Sequence, residues 1–243
     1  MNIHPAPQGS AAWLQARIGL VTASRIKDVL AVLTRASKNG KAGEPAAARI
    51  AYRAELVAER LSGRSEDHYV SPEMDHGTEY EPIARSAYEI ATGTMVDTVG
   101  LVYHPTMPFS GASADGLVDD DGAVEIKAPK TTTHLRWIQA GIVPEEHQDQ
   151  CLWVMACCER QYLDFISYDP RLPDGLKIFI VRMERDEERI KMIEQEVASF
   201  NAEVEAACNA LRSRVRTSPP APIDTRSDFD QLIAMIDREE LVP

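Results

Sequence analysis

The strongest constraint on the fold is a change of hydrophobic period near Gly93. Before it, apolar residues recur at helical spacing; after it, they alternate. Met95 to Tyr103, Gly111 to Val118 and Ala123 to Lys127 have strand character, and the acidic turn Asp119-Asp120-Asp121-Gly122 joins the last two as a hairpin. Ahead of the change, Ala11 to Arg17 reads as a short helix ending near Gly19, and Thr22 or Ser24 is placed to cap a second that runs to about Leu33. Thr34 to Glu44 is rich in Lys and Gly and reads as a mobile loop. A long helix from Pro45 to Leu61 carries Ile50, Ala54, Leu56, Val57 and Leu61 as its expected apolar stripe, and another runs from Ser71 to Ala91. Beyond the meander, Thr131 to Ala140 and Pro144 to Cys158 look helical. Gln161 to Tyr168 and Leu176 to Met183 look like strands, and Arg185 to Arg212 is a long charged helix. That order predicts an α/β or α+β core, a mixed central sheet flanked by helices.

A length of 243 residues suits one domain with an appendage. Residues 1–213 are expected to form the domain. Residues 214–243 hold a proline-rich linker around Ser218-Pro219-Pro220-Ala221-Pro222, then a short amphipathic helix with Phe229, Leu232, Ile233 and Ile236 on one face. That helix either packs back on the body or docks another chain. No apolar run approaches the roughly 20 residues a membrane helix needs, and Met1 to Ser10 lacks the pattern of a signal peptide. Cys151, Cys157, Cys158 and Cys208 show no disulfide spacing, so reduced thiols and a cytoplasmic setting are expected. The net charge of −12 argues against a polyanionic partner. Its distribution is uneven: Ser10 to Ser65 carries ten Lys or Arg against four acids. Either that segment offers an attractive face to nucleic acid, or it is an ordinary solvated helical surface.

The chemistry concentrates in Ser113-Ala114-Asp115-Gly116 and, ten residues after Asp115, Glu125-Ile126-Lys127. If these are strands of one hairpin, Asp115 and Glu125 lie side by side. Glu125 and Lys127, two apart on a strand, project from one face. Two carboxylates, with the Ile126 carbonyl as a further oxygen, suit Mg²⁺, and an ammonium beside them suits phosphodiester hydrolysis. Asp-Gly is also a common turn dipeptide, and Glu-x-Lys occurs in many settings. Glu81, on the helix upstream, can add a third carboxylate. Gln150, on a helix beside apolar Leu152, Trp153 and Met155, either reaches the site or satisfies the backbone.

At these residues the sequence resembles the lambda exonuclease family, the YqaJ-type viral recombinases of the PD-(D/E)XK nuclease superfamily. The resemblance covers Ala12 to Glu188, with blocks in family order. They are Trp13-Leu14-Gln15-Ala16-Arg17-Ile18-Gly19, Val21-Thr22-Ala23-Ser24, Gly77 through Arg85, Ser113 through Leu117, Glu125 through Pro129, Gln148 to Met155 and Tyr168-Asp169-Pro170-Arg171. It implies a restriction-endonuclease-like core and a Mg²⁺-dependent exonuclease, with Mn²⁺ able to substitute. The expected enzyme digests the 5′ strand of double-stranded DNA from its ends and leaves 3′ overhangs for phage-type recombination in a bacterial cytoplasm. It further implies a homotrimeric ring around DNA and a single-strand annealing protein as partner. By position, Asp115, Glu125 and the Ile126 carbonyl are metal ligands, Glu81 supports the metal, Lys127 is the catalytic lysine and Gln150 the active-site glutamine. Arg17, Ser24 and Ser113 match the pocket for the terminal 5′-phosphate.

The chain departs from the family in having Leu152 two residues after the glutamine, and Thr131, Thr132 and Thr133 where some members carry a basic residue. Lys130, His134 or Arg136 is then a substitute DNA contact. Two rivals stay open: a structure-specific nuclease of the same superfamily, and a non-catalytic DNA-end-binding protein.

Overall fold

The computed structural model describes residues 1–36, 41–65 and 72–217. Strand β1 (Asn2–Ile3) leads to helix α1 (Ala11–Arg17), strand β2 (Val21–Thr22), a 3-10 turn over Ala23–Arg25 and the single-turn helix α2 (Ile26–Val29). Helices α3 (Ala47–Ser62) and α4 (Pro72–Thr92) follow, then strands β3 (Val102–Tyr103), β4 (Ser110–Ala112), β5 (Gly116–Val118) and β6 (Gly122–Lys127). Helices α5 (Thr131–Ala140) and α6 (Glu145–Cys158) precede strands β7 (Tyr162–Tyr168) and β8 (Ile178–Glu184), and helix α7 (Glu187–Thr217) comes last. One compact unit spans Met1–Cys208, and a second begins at Asn209, inside α7. The first residues of the expected linker, up to Thr217, are helical; the remainder, with the predicted terminal helix, lies outside the described residues.

The strands form two mixed sheets, ordered β1-β3-β4-β2 and β5-β6-β7-β8. In the second sheet β5 and β6 are the expected hairpin. β6 pairs parallel with β7, and β7 antiparallel with β8. A parallel pair needs a long crossover; α5 and α6 supply it. From Cys151 to Cys158 every residue of α6 is buried, so this half of the helix is apolar all round rather than amphipathic. All four cysteines are free and buried there or along α7. No described helix is long and apolar enough to cross a membrane.

The single strand expected over Gly111 to Val118 is instead broken at Ser113–Asp115, with β4 in one sheet and β5 in the other. Side chains hold the break. Gln8 Nε2 donates to the Ala114 carbonyl at 2.6 Å, and Asp115 Oδ2 accepts the Ile126 N–H at 2.6 Å. Gly116 is required for packing as much as for turning: a Cβ there would stand 2.1 Å from Val96 Cγ1.

Two helical expectations need correction. Neither Thr22 nor Ser24 caps a helix with its side chain; α2 ends at Val29, and Val32 bridges to Pro45 instead of extending a helix to Leu33. On α3, the expected stripe residues Ile50 and Leu61 are exposed, and Arg49, Tyr52, Leu56 and Glu59 are buried. The buried face is built on ion pairs. Arg49 donates to the Val29 carbonyl and pairs with Glu203 at 2.7 Å and Glu196 at 3.4 Å. Arg53 also meets Glu203, Arg25 meets Asp28 and Glu55, and Arg60 meets the Gly19 carbonyl and Asn201. Of the basic excess between Ser10 and Ser65, Arg49 and Arg53 are thus met by the acidic helix α7, Arg25 is paired within its own segment, and Arg60 is held by neutral oxygens.

The turn after β7 fixes the exit of β6. Asp169, fully buried, holds Arg171 through Oδ1–Nε at 2.6 Å and Oδ2–Nη2 at 3.0 Å, and Arg171 reaches the Pro129 carbonyl at 3.2 Å. Burial opposes ionisation of Asp169, but hydrogen bonds from Arg171 and Thr131 outweigh it and hold the carboxyl at about 2. An unfolded Asp titrates near about 4. The resulting stabilisation is therefore complete above the unfolded value and is lost as pH falls through about 2. Urea unfolding between about pH 5 and pH 2 should show an acid loss of about 2 kcal/mol that Asp169→Asn lacks. Equal acid slopes in the two proteins would remove the pair from this role.

Candidate active site

The hairpin register pairs Gly116 with Val124, so Asp115 stands across from Glu125 one step beyond the ladder. Glu125 and Lys127 alternate on β6 and share a face. Lys127 Nζ donates to Glu125 Oε1 at 2.5 Å, and Gln150 Nε2, from α6, donates to the same oxygen. Glu125 is 2% exposed, so its charge is stabilised by these two donors rather than by water. On α4, Glu81 Oε1 accepts from Arg85 Nη2 at 2.5 Å, and the same nitrogen donates to the Asp115 carbonyl at 3.1 Å. Asp115, Glu125, Lys127, Glu81 and Gln150 therefore converge at one end of the second sheet. The other reading of Gln150, as a backbone partner, does not hold.

The electrostatics are those of crowded carboxylates. Burial and the neighbouring Glu125 push the Asp115 carboxyl well above its usual range, and Lys127 opposes them. Burial also raises Glu81, with Arg85 pulling it back down. Desolvation disfavours the Lys127 ammonium, but Glu125 and Asp115 outweigh it, and the group is held more firmly charged than a free lysine. Such a cluster gains from a hard cation. Among the described residues no group of three or more His, Cys, Asp or Glu side chains is arranged to hold a metal ion. Asp115 and Glu125 are the two carboxylates that face each other here, and Glu81 is held beside them by Arg85.

A second group of residues lies at the ends of β2 and β4. These strands are parallel, with Val21 beside Ser110 and Thr22 beside Gly111, so Ser24 and Ser113 leave the pair at the same end. Arg17 Nη1 donates to Ser113 Oγ at 3.2 Å. Arg17 is half-buried, has no carboxylate partner among the described residues, and burial lowers its pKa. Ser24 makes no hydrogen bond to Arg17. It is exposed and lines a cleft with Lys27, His147 and Gln150.

Sequence reasoning gave no role to three residues here. Arg85 joins Glu81 to the Asp115 loop. His147 stacks on Phe165 at 5.5 Å and lines the cleft beside Gln150. Trp13 donates its indole N–H to Ser113 Oγ at 3.0 Å. Arg85 and Trp13 lie in the matching sequence blocks and His147 just ahead of one, but only tertiary contact gives each a task. His134 is not a surface contact. It is fully buried, with Nδ1 on Ser167 Oγ at 2.6 Å and Nε2 on the Leu176 carbonyl at 2.8 Å. Leu152 packs in the core, whereas Lys130 and Arg136 are exposed.

Residues 12–161 match the YqaJ-like viral recombinase domain. Among solved structures, an alkaline exonuclease (LHK-Exo) from Laribacter hongkongensis is similar over 85% of this chain and 98% of its own, at 44% identity and a TM-score of 0.76. The same enzyme in complex with dAMP gives the same values. A phage-related exonuclease from Haemophilus somnus 129PT is similar in fold, with a TM-score of 0.59 at 14% identity over 79% of this chain and 96% of its own. No match is found among curated proteins.

Proposed function

The chain belongs to the YqaJ-like viral recombinase family, and on that premise we propose that it is a Mg²⁺-dependent exonuclease that digests the 5′ strand of linear duplex DNA. An exonuclease acting on DNA is the coarse reading that the family and the 44% identical alkaline exonuclease support. The observation that carries the finer reading is the shared oxygen: Glu125 Oε1 meets Lys127 and Gln150 while Asp115 stands opposite. Asp115, Glu125 and the Ile126 carbonyl would hold the ion, with Glu81 beside them and Mn²⁺ a workable substitute. When bound, the metal polarises water and the scissile phosphate. Lys127 orients the attacking water or neutralises charge on a phosphate oxygen, because its ammonium is held charged between the two carboxylates. Gln150 fixes the rotamer of Glu125. Arg17, Ser113 and Ser24 would form the seat for the terminal 5′-phosphate, with the Arg17 guanidinium and the serine hydroxyls as donors.

Three copies in a ring around duplex DNA, with a single-strand annealing protein as partner, complete this reading. A ring would let exposed basic residues line a channel while acids face outward. The test is digestion of linear duplexes labelled either at their 5′ ends or at their 3′ ends. The 5′ label should be released at once and the 3′ label retained in single-stranded product. Early release of the 3′ label would refute the polarity, and nicking of closed circles would refute the exonuclease.

A further inference from the structure

Trp13 sets the polarity of the phosphate seat. Ser113 Oγ accepts two hydrogen bonds, from Trp13 Nε1 at 3.0 Å and from Arg17 Nη1 at 3.2 Å. A hydroxyl oxygen has two lone pairs, and both are engaged. Its own proton can then only point away, and among the described residues no acceptor takes it. Ser113 is thereby left as an obligate donor. The Trp13 ring also lies against the Arg17 guanidinium, whose Cζ is 4.3 Å from the ring centroid. That contact holds the planar fork over the same oxygen. Both ligands of Ser113 come from α1, whose start is fixed by Ser10 Oγ accepting the Trp13 backbone N–H at 3.2 Å.

We propose that Trp13 is a positioning residue for end recognition: by donating to Ser113 Oγ it turns that hydroxyl outward as a donor, so that the seat selects an acceptor-only terminal phosphate over a terminal hydroxyl. This rests on the 5′-phosphate reading of Arg17 and Ser113. It adds a residue that touches no substrate itself. A 5′-hydroxyl can donate and so gains less from a seat made only of donors, whereas a phosphate oxygen can only accept.

The decisive substitution is Trp13→Phe, which deletes the N–H and keeps a ring to cover Arg17. Initial rates would be measured on linear duplexes that differ only in a 5′-phosphate or a 5′-hydroxyl. The preference for phosphate should fall about three- to tenfold, the worth of one neutral hydrogen bond. The fall should appear in KM for phosphorylated ends, with kcat nearly unchanged. Ser113→Ala should produce a similar loss, and adding Trp13→Phe to it should cost nothing further, because both act through one hydroxyl. A Trp13→Phe protein with the wild-type preference, or losses that add in the double variant, would overturn the assignment. A wild type that digests both ends equally well would instead overturn the phosphate seat, and this assignment with it.

Discussion

Lys127→Ala is expected to stop nucleotide release, with a loss of at least about a thousandfold, the scale for removing a preorganised charge from a reacting centre. Two features make the loss large. The ammonium lies against Glu125 Oε1, and among the described residues no other lysine or arginine pairs with that carboxylate. Burial also means that water cannot replace it, since Glu125 is 2% exposed. Asp115→Asn should match this loss for a different reason. The amide keeps its shape and an oxygen able to accept the Ile126 N–H, but it removes the charge that holds a divalent ion. The Asn variant should therefore fold like the wild type and fail only in chemistry. Substantial residual digestion by either protein, at a wild-type melting temperature, would take that residue out of the mechanism.

The second large effect concerns the end of the substrate. Arg17→Ala should erase the preference for 5′-phosphorylated over 5′-hydroxyl ends, a change of about ten- to a hundredfold, given about 1.5–3 kcal/mol for a charged hydrogen bond. Arg17 has no ion pair among the described residues, so the cost is expected to fall mainly on the ligand. Digestion of hydroxyl ends should change little. An unchanged ratio between the two ends would place the phosphate elsewhere.

The convergence of Asp115, Glu125 and Lys127 was readable in the sequence because β-strand geometry is local. An alternating strand puts Glu125 and Lys127 on one face wherever it lies, and a short acidic turn brings Asp115 back beside them. The order of helices and strands was readable for the same reason. The break between β4 and β5 was not. It depends on Gln8 and on the close approach of Val96 to Gly116, both distant along the chain. The buried face of α3 was misread because hydrophobic period assumes that apolar side chains go inward, whereas Arg49 and Glu59 go inward there with partners. The charge asymmetry misled similarly: net counts do not reveal that Glu196 and Glu203 on α7 lie against the arginines of α3. His134 resembled a surface cation on a threonine-rich helix, and only Ser167 and Leu176, from other elements, make it a core residue.

The claim on which everything depends is that Asp115, Glu125 and Lys127 form a metal-dependent hydrolytic centre. Its most direct test is acid-soluble nucleotide released from linear duplex DNA as Mg²⁺ is titrated and then chelated. Release should rise with Mg²⁺ and vanish on chelation. An intact duplex at every metal concentration, or release indifferent to the chelator, would contradict the account.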